Sequence, residues 1–206
     1  VIVDTENDGT PAMMGLGDLT GDTEVAEGQE HQTMAMEDGG VLVSWVTEGE
    51  GNFFDIVGRI LRQIGDGEWS RSEIRHLVRD IQRADDDDGP ISFQLTRSSG
   101  EDGDGDTEVG FTIVYTTANS EGGESQNAQR FDGDGDAIGQ TLTISINDGD
   151  TTVAVAALDD GRIVTLASTE SSTGKGAEVV SPVIDTRRPG DVIVSGTPGG
   201  VGARRT

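Results

Sequence analysis

Six aspartates set the chemistry this chain can do. Asp132, Asp134 and Asp136 alternate with Gly133 and Gly135, and Asp102, Asp104 and Asp106 repeat the alternation with Gly103 and Gly105. Carboxylates at positions one, three and five of a short loop can converge on one side of it, and the glycines let the backbone curl around a hard cation. That chemistry is calcium binding, and Ca2+ is the cofactor expected. Neither loop is an EF-hand, because the bidentate Glu needed at position twelve is replaced by Thr143 in one and Ile113 in the other. Backbone carbonyls, water or auxiliary carboxylates such as Glu101 and Glu108 would have to complete the shell. The competing reading for each loop is a plain acidic turn.

Other chemistries find little support. Cys is absent, so disulfides and thiolate metal sites are excluded. The two histidines, His31 and His76, lack metal-ligand spacing, and His76 reads as a solvated residue. Ser195 is not set in a nucleophile elbow, no two carboxylates stand out as a glycosidase pair, and no Gly-rich stretch carries the Lys of a phosphate loop. The expectation is therefore no catalytic activity. Trp45, Tyr115 and Phe131 read as core residues, and Trp69 as buried in preference to a sugar-stacking platform.

The elements that must position these loops are strands. Only 33% of residues are hydrophobic, 31 are Gly, and Thr, Val and Ile recur in short alternating runs. Strands are expected at 1–5, 41–47, 54–61, 91–96, 109–117, up to Phe131, 141–146, 153–158, 162–167, 177–184 and 191–194, with Met34 and Met36 alternating ahead of the turn signal Glu37–Gly40. Residues 6–30 read as an acidic, weakly patterned loop, with Asp18–Glu24 as a further acidic turn within it, and Asp85–Asp88 as a solvated one. One helix is expected over 70–83, because Ser70 and Glu73 have capping-box spacing and Ile74, Leu77, Val78 and Ile81 fall on one helical face.

The strands repeat. Gly40–Trp45 matches Gly110–Tyr115 and Gly161–Leu166, and downstream Val57–Leu61 matches Asn127–Phe131 and Val180–Ile184. Both strands of each pair shift together, by about 70 residues and then by about 50. Four strands per unit is one propeller blade. The expected architecture is mainly β, in repeated four-stranded antiparallel units. It is β-propeller-like, partial or completed by oligomerisation, with a β-sandwich as the alternative. A single domain spans 1–198, in units of about 31–84, 85–148 and 149–198, and 199–206 form a flexible tail.

These units resemble a degenerate repeat of large secreted bacterial calcium-binding proteins of the hemolysin-type (RTX) class. The resemblance rests on Glu37–Gly40 with Trp45, on Leu158–Gly161, and on Ala128–Asp132. The stretch Gly190–Gly199 is similar to the lead-in to that class's nonapeptide calcium repeats, although Gly200–Gly202 departs from it and no nonapeptide array follows. The resemblance implies a secreted or cell-surface bacterial protein and a calcium-binding structural or adhesion module.

The net charge of −25 disfavours nucleic acid and anionic membrane partners, and no run has the apolar length of a membrane helix. Halophilic solvation and a calcium load both account for such acidity. The chain starts at Val1 without Met or a signal-like segment, so it reads as an excised or processed piece of a longer protein. Two further readings stay open: a carbohydrate-binding or glycoside-cleaving module with a glycan partner, and a subunit of a self-assembling layer or filament. In the latter, unpaired strand edges, Val1–Thr5 among them, would mediate self-association.

Overall fold

A computed structural model describes residues 2–5, 11–14, 31–65, 68–83, 91–101, 107–118, 124–144, 151–157, 162–170, 177–180 and 183–185. Among them there is no helix, and every strand pairing is antiparallel. Asp102–Asp106, Asp18–Glu24, Asp85–Asp88, Leu158–Gly161 and everything beyond Asp185 lie outside the described residues.

Strands β1 (Ile2–Thr5) and β2 (Pro11–Met14) form a two-stranded ribbon. This corrects two expectations. Residues 11–14 are strand, and β1 has its partner in them, so it does not present an unpaired edge on both sides. Pro11 pairs with Thr5 at the ribbon's end, the place in a strand where a missing N–H is tolerated.

The first sheet runs β3 (His31–Ala35), β4 (Val41–Glu48), β5 (Phe53–Gln63), with β6 (Trp69–Arg71) and β7 (Arg75–Gln82) sharing the far side of β5. The helix expected over 70–83 is therefore two strands. The misleading 3–4 spacing of apolar residues comes from irregular pairing. The β5–β7 register shifts on both sides of Ile56, which lets adjacent Leu77 and Val78 both reach the core. Asp80, at a left-handed φ of 57°, then turns Ile81 back into it. Ile74 belongs to a different apolar cluster altogether. Between β6 and β7, Ser72 stands in for the ladder: its N–H donates to Ile60 O (2.9 Å) and its Oγ accepts from Ile60 N (2.9 Å). Strand pairing overrides a local helical pattern here.

The second sheet is β8 (Phe93–Glu101), β9 (Thr107–Ala118), β10 (Glu124–Asp132) and β11 (Ala137–Ile144), in simple meander order. The third is β12 (Thr151–Ala157) and β13 (Arg162–Glu170), with β14 (Ala177–Val180) and β15 (Val183–Asp185) sharing the far side of β13.

The sheets stack face against face. Leu42, Val46, Ile56 and Ile60 of the first sheet pack against Phe93, Phe111, Ile113 and Phe131 of the second. Phe111 and Phe131, cross-strand partners, stack with centroids 5.0 Å apart at 15°, worth roughly 0.5–1.5 kcal/mol beyond their burial. The opposite face of the second sheet sends Val114, Ala128 and Leu142 to Ile163 of the third. That face also buries the row Thr96, Thr112 and Arg130. The first strands of the three sheets are neighbours, with β8 against both β3 and β12. Gln32 of β3 meets the outer edge of β8 with its side-chain amide. Its Nε2 donates to Phe93 O, and its Oε1 accepts from Leu95 N (3.1 Å), so one side chain satisfies two edge groups a strand would otherwise take.

Candidate functional site: an acidic hairpin held by two arginines

The Asp132–Asp136 loop is the connection between β10 and β11. Asp132 N donates to Asp136 O (2.9 Å) and Gly135 N to Asp132 O (3.2 Å). Gly135 takes a left-handed φ of 88°, the residue type a short hairpin of this kind needs at that position. The turn between β3 and β4 is built the same way: Met36 N donates to Gly40 O (2.8 Å), Gly39 N to Met36 O (3.2 Å), and Gly39 has φ 83°.

The three carboxylates face three different partners. Asp132 turns inward, and its Oδ1 accepts from the backbone N–H of Asp134 (2.9 Å) and of Asp136 (2.8 Å). Asp134 Oδ1 lies 3.2 Å from Arg62 Nη2, and Asp136 Oδ1 lies 2.5 Å from Arg75 Nη1. Arg62 also donates from Nη2 to Gly133 O (2.8 Å) and from Nε to Asp38 Oδ2 (3.0 Å). One guanidinium thus joins Asp38 and Asp134, which occupy the same position in the two matching turns. The Gly40 N–H held by Asp38 Oδ1, followed by the Arg62 charge, lowers the Asp38 carboxyl below its usual range despite some opposing desolvation. The cluster is wet: side-chain exposure is 70% at Asp134 and 69% at Asp136. Exposed pairs of this kind contribute roughly 0.2–1 kcal/mol each.

As arranged, these carboxylates do not converge on a common point, and among the described residues no group of three or more His, Asp or Glu side chains is placed to hold a metal. Asp134 and Asp136 each engage an arginine through Oδ1. Of the second predicted loop, only the flanking backbone is described. Glu101 pairs with Thr107 and Gly100 with Glu108 across β8 and β9, while Asp102, Asp104 and Asp106 lie outside the described residues.

A second polar cluster was not legible as a site. His76 Nδ1 is 2.7 Å from Asp55 Oδ2, and Asp55 Oδ1 accepts from Asp80 N (3.0 Å). Asp55 is 13% exposed at its side chain. His76 is exposed, in keeping with its reading as a solvated residue, and a carboxylate engages it as well. The available signal was a lone Asp inside the apolar run Phe53–Leu61. A carboxylate-backed imidazole is part of a general-base arrangement, but among the described residues no hydroxyl is bonded to His76. His31 sits on β3, an edge of the first sheet, and His76 on β7 beyond β5, so the two histidines do not share a site.

Of the aromatic residues, Tyr115 and Phe131 fill the core between the first two sheets, and burial raises the Tyr115 hydroxyl pKa. Trp45, fully buried, lies on the other face of the first sheet with Val43, Val57 and Leu61, and Trp69 packs partly buried against that cluster.

Comparison with protein-family models, with curated proteins and with solved structures returns no match.

Proposed function

We propose that this chain is a non-catalytic structural or adhesion module of a secreted or cell-surface protein, built by propeller-like stacking of repeated sheets. The observation that carries the reading is the direction of stacking. In the first sheet, the face holding Leu42 and Val46 meets the second sheet; in the second, the face holding Val114 meets the third. The faces that receive these contacts carry Phe111, Ile113 and Tyr115 in the second sheet and Ile163 in the third. Head-to-tail contacts of this kind are additive, and they generate rings when the rotation closes and filaments when it does not. Such a scaffold suits a spacer or display element. Carbohydrate stacking has less support, because Trp45 is buried and Trp69 is partly so.

Calcium belongs to this proposal chiefly through Asp102, Asp104 and Asp106, whose one-three-five spacing fits a hard cation; at Asp132–Asp136 two arginines already supply positive charge. The test is thermal melting in calcium, in magnesium and in chelator at matched ionic strength. Calcium at about 100 times its dissociation constant adds roughly 2.7 kcal/mol to a chain that binds only when folded, and Asp104→Ala is expected to remove that gain. A calcium effect no larger than that of magnesium takes calcium out of the reading. Polysaccharide or peptide turnover that disappears in Asp55→Asn overturns the non-catalytic assignment.

A further inference from the structure

The Asp132–Asp136 hairpin has no apolar side chain of its own. Elsewhere the first two sheets are joined by a continuous apolar core, but the tip of this hairpin can be held down only by charge and by its backbone. The charge comes from the other sheet: Arg62 from the end of β5 reaches Gly133 O and Asp134, and Arg75 from the start of β7 reaches Asp136. Beneath the tip lie two core side chains. A Cβ placed on Gly135 would sit 3.7 Å from Leu77 Cδ2 and 3.8 Å from Ile60 Cδ1. Both are kept dry, with Ile60 4% and Leu77 9% exposed.

The freedom of the hairpin is confined to its tip and the start of β11, because β10 stays laddered to β9 as far as Asp132↔Gly110 and Phe131 stacks on Phe111. The β10–β11 register breaks between Ala128 and Arg130, so Arg130↔Ile138 and Phe131↔Ala137 form a short segment beyond the irregularity. Gly139, at φ 70°, lies at the same break.

We propose that this hairpin is an electrostatically held flap. Closed, it covers Ile60 and Leu77; when its ion pairs are screened or removed, it lifts and uncovers them. The inference does not depend on the proposed structural role of the chain. Its magnitude is modest because Asp134 and Asp136 are largely solvent-facing. Loss of two exposed ion pairs shifts the closed-to-open ratio by roughly twofold to thirtyfold. Raising salt from about 0.1 M to about 1 M, which shortens the screening length from roughly 10 Å to roughly 3 Å, does much the same.

The absence of cysteine allows a single nitroxide to be attached through Ala137→Cys, at an exposed position beside the tip. The readout is paramagnetic broadening of the Ile60 and Leu77 methyl signals in the full chain. Strong broadening is expected at low salt, with partial recovery at high salt. The Arg62→Gln, Arg75→Gln double variant is expected to show that recovery already at low salt and to respond little to further salt. Broadening that is the same at both salt levels in the otherwise wild-type chain overturns the flap. So does a folded double variant as broadened as wild type. Should the double variant fail to fold, the salt comparison alone decides.

Discussion

Replacing Gly110 by Ala tests the close strand approach on which the second sheet depends. A Cβ at Gly110 would lie 2.0 Å from Phe131 O, 3.0 Å from Phe131 C and 3.1 Å from Asp132 Cα. All three are backbone atoms of β10, so no rotamer change relieves the clash. Carbon–oxygen contacts between adjacent strands settle at roughly 3.3–3.6 Å, so β9 and β10 must separate locally by about 1 Å or more. That displacement weakens about two ladder hydrogen bonds at roughly 1 kcal/mol each and disturbs the Phe111–Phe131 stack, worth roughly another 0.5–1.5 kcal/mol. Against this, Ala restricts the unfolded chain and returns about 0.4–1 kcal/mol. The net expectation is a loss of about 2–3 kcal/mol, or roughly 4–12 °C in Tm for a chain of this length. Gly40 is the repeat-equivalent control. Its Cβ would meet Asp38 Oδ1 at 3.0 Å and Leu61 O at 3.2 Å, and the Asp38 side chain can move, so Gly40→Ala should cost no more than about 1 kcal/mol. Urea melts followed by circular dichroism measure both. Fluorescence of Trp45 and Trp69, both in the first sheet, shows whether the second sheet comes apart before the first. A Gly110→Ala variant no less stable than Gly40→Ala refutes the close-approach argument.

Two further expectations concern carboxylates. Asp55→Ala should destabilise the chain by roughly 1.5–3 kcal/mol, because the Asp80 N–H and the His76 imidazole lose a largely buried charged acceptor; Asp55→Asn, which keeps an acceptor, should cost less in the same urea melt. Asp38 has a folded pKa below the ordinary 3.8, so its contribution is present above that value and fades as pH falls through the lower folded value. Acid titration of stability should therefore be flatter in Asp38→Asn than in wild type only below about pH 4, and a difference confined to neutral pH would contradict that origin.

The strands were legible because period-two patterning is strong where one face is apolar, as in Val41–Thr47 and Val109–Thr117. The acidic turn after Phe131 was legible from Asp and Gly alone. What was not legible depends on partners distant in sequence. Nothing local announces that Asp134 and Asp136 pair with Arg62 and Arg75. The stretch over 70–83 misled for a related reason. Its bulges are imposed by Asp55 and by the pairing with β5, and a bulged strand can space its apolar residues as a helix does. Pro11–Met14 reads as part of a loop because Pro and two Met carry little strand signal by themselves.

The repeat shows where pattern and register part company. Between the first two units the matching is carried through: Trp45 faces Val57 as Tyr115 faces Asn127, and Val41 faces Leu61 as Phe111 faces Phe131. Sequence matching of the third unit sets Arg162 where Phe111 stands, and so opposite Ile184. The observed register instead pairs Ile163 with Ile184 and Arg162 with Asp185. A slip of one residue exchanges the two faces of a strand. In the matched alignment Arg162 would take the core-facing place of Phe111, whereas in the observed register Ile163 takes it, fully buried against Val114, Ala128 and Leu142. Desolvating an arginine in that apolar cluster would cost several kcal/mol unless it were paired, far more than any gain from aligning glycines. Burial therefore sets the register of the third sheet, and the same preference keeps the direction of stacking constant from sheet to sheet.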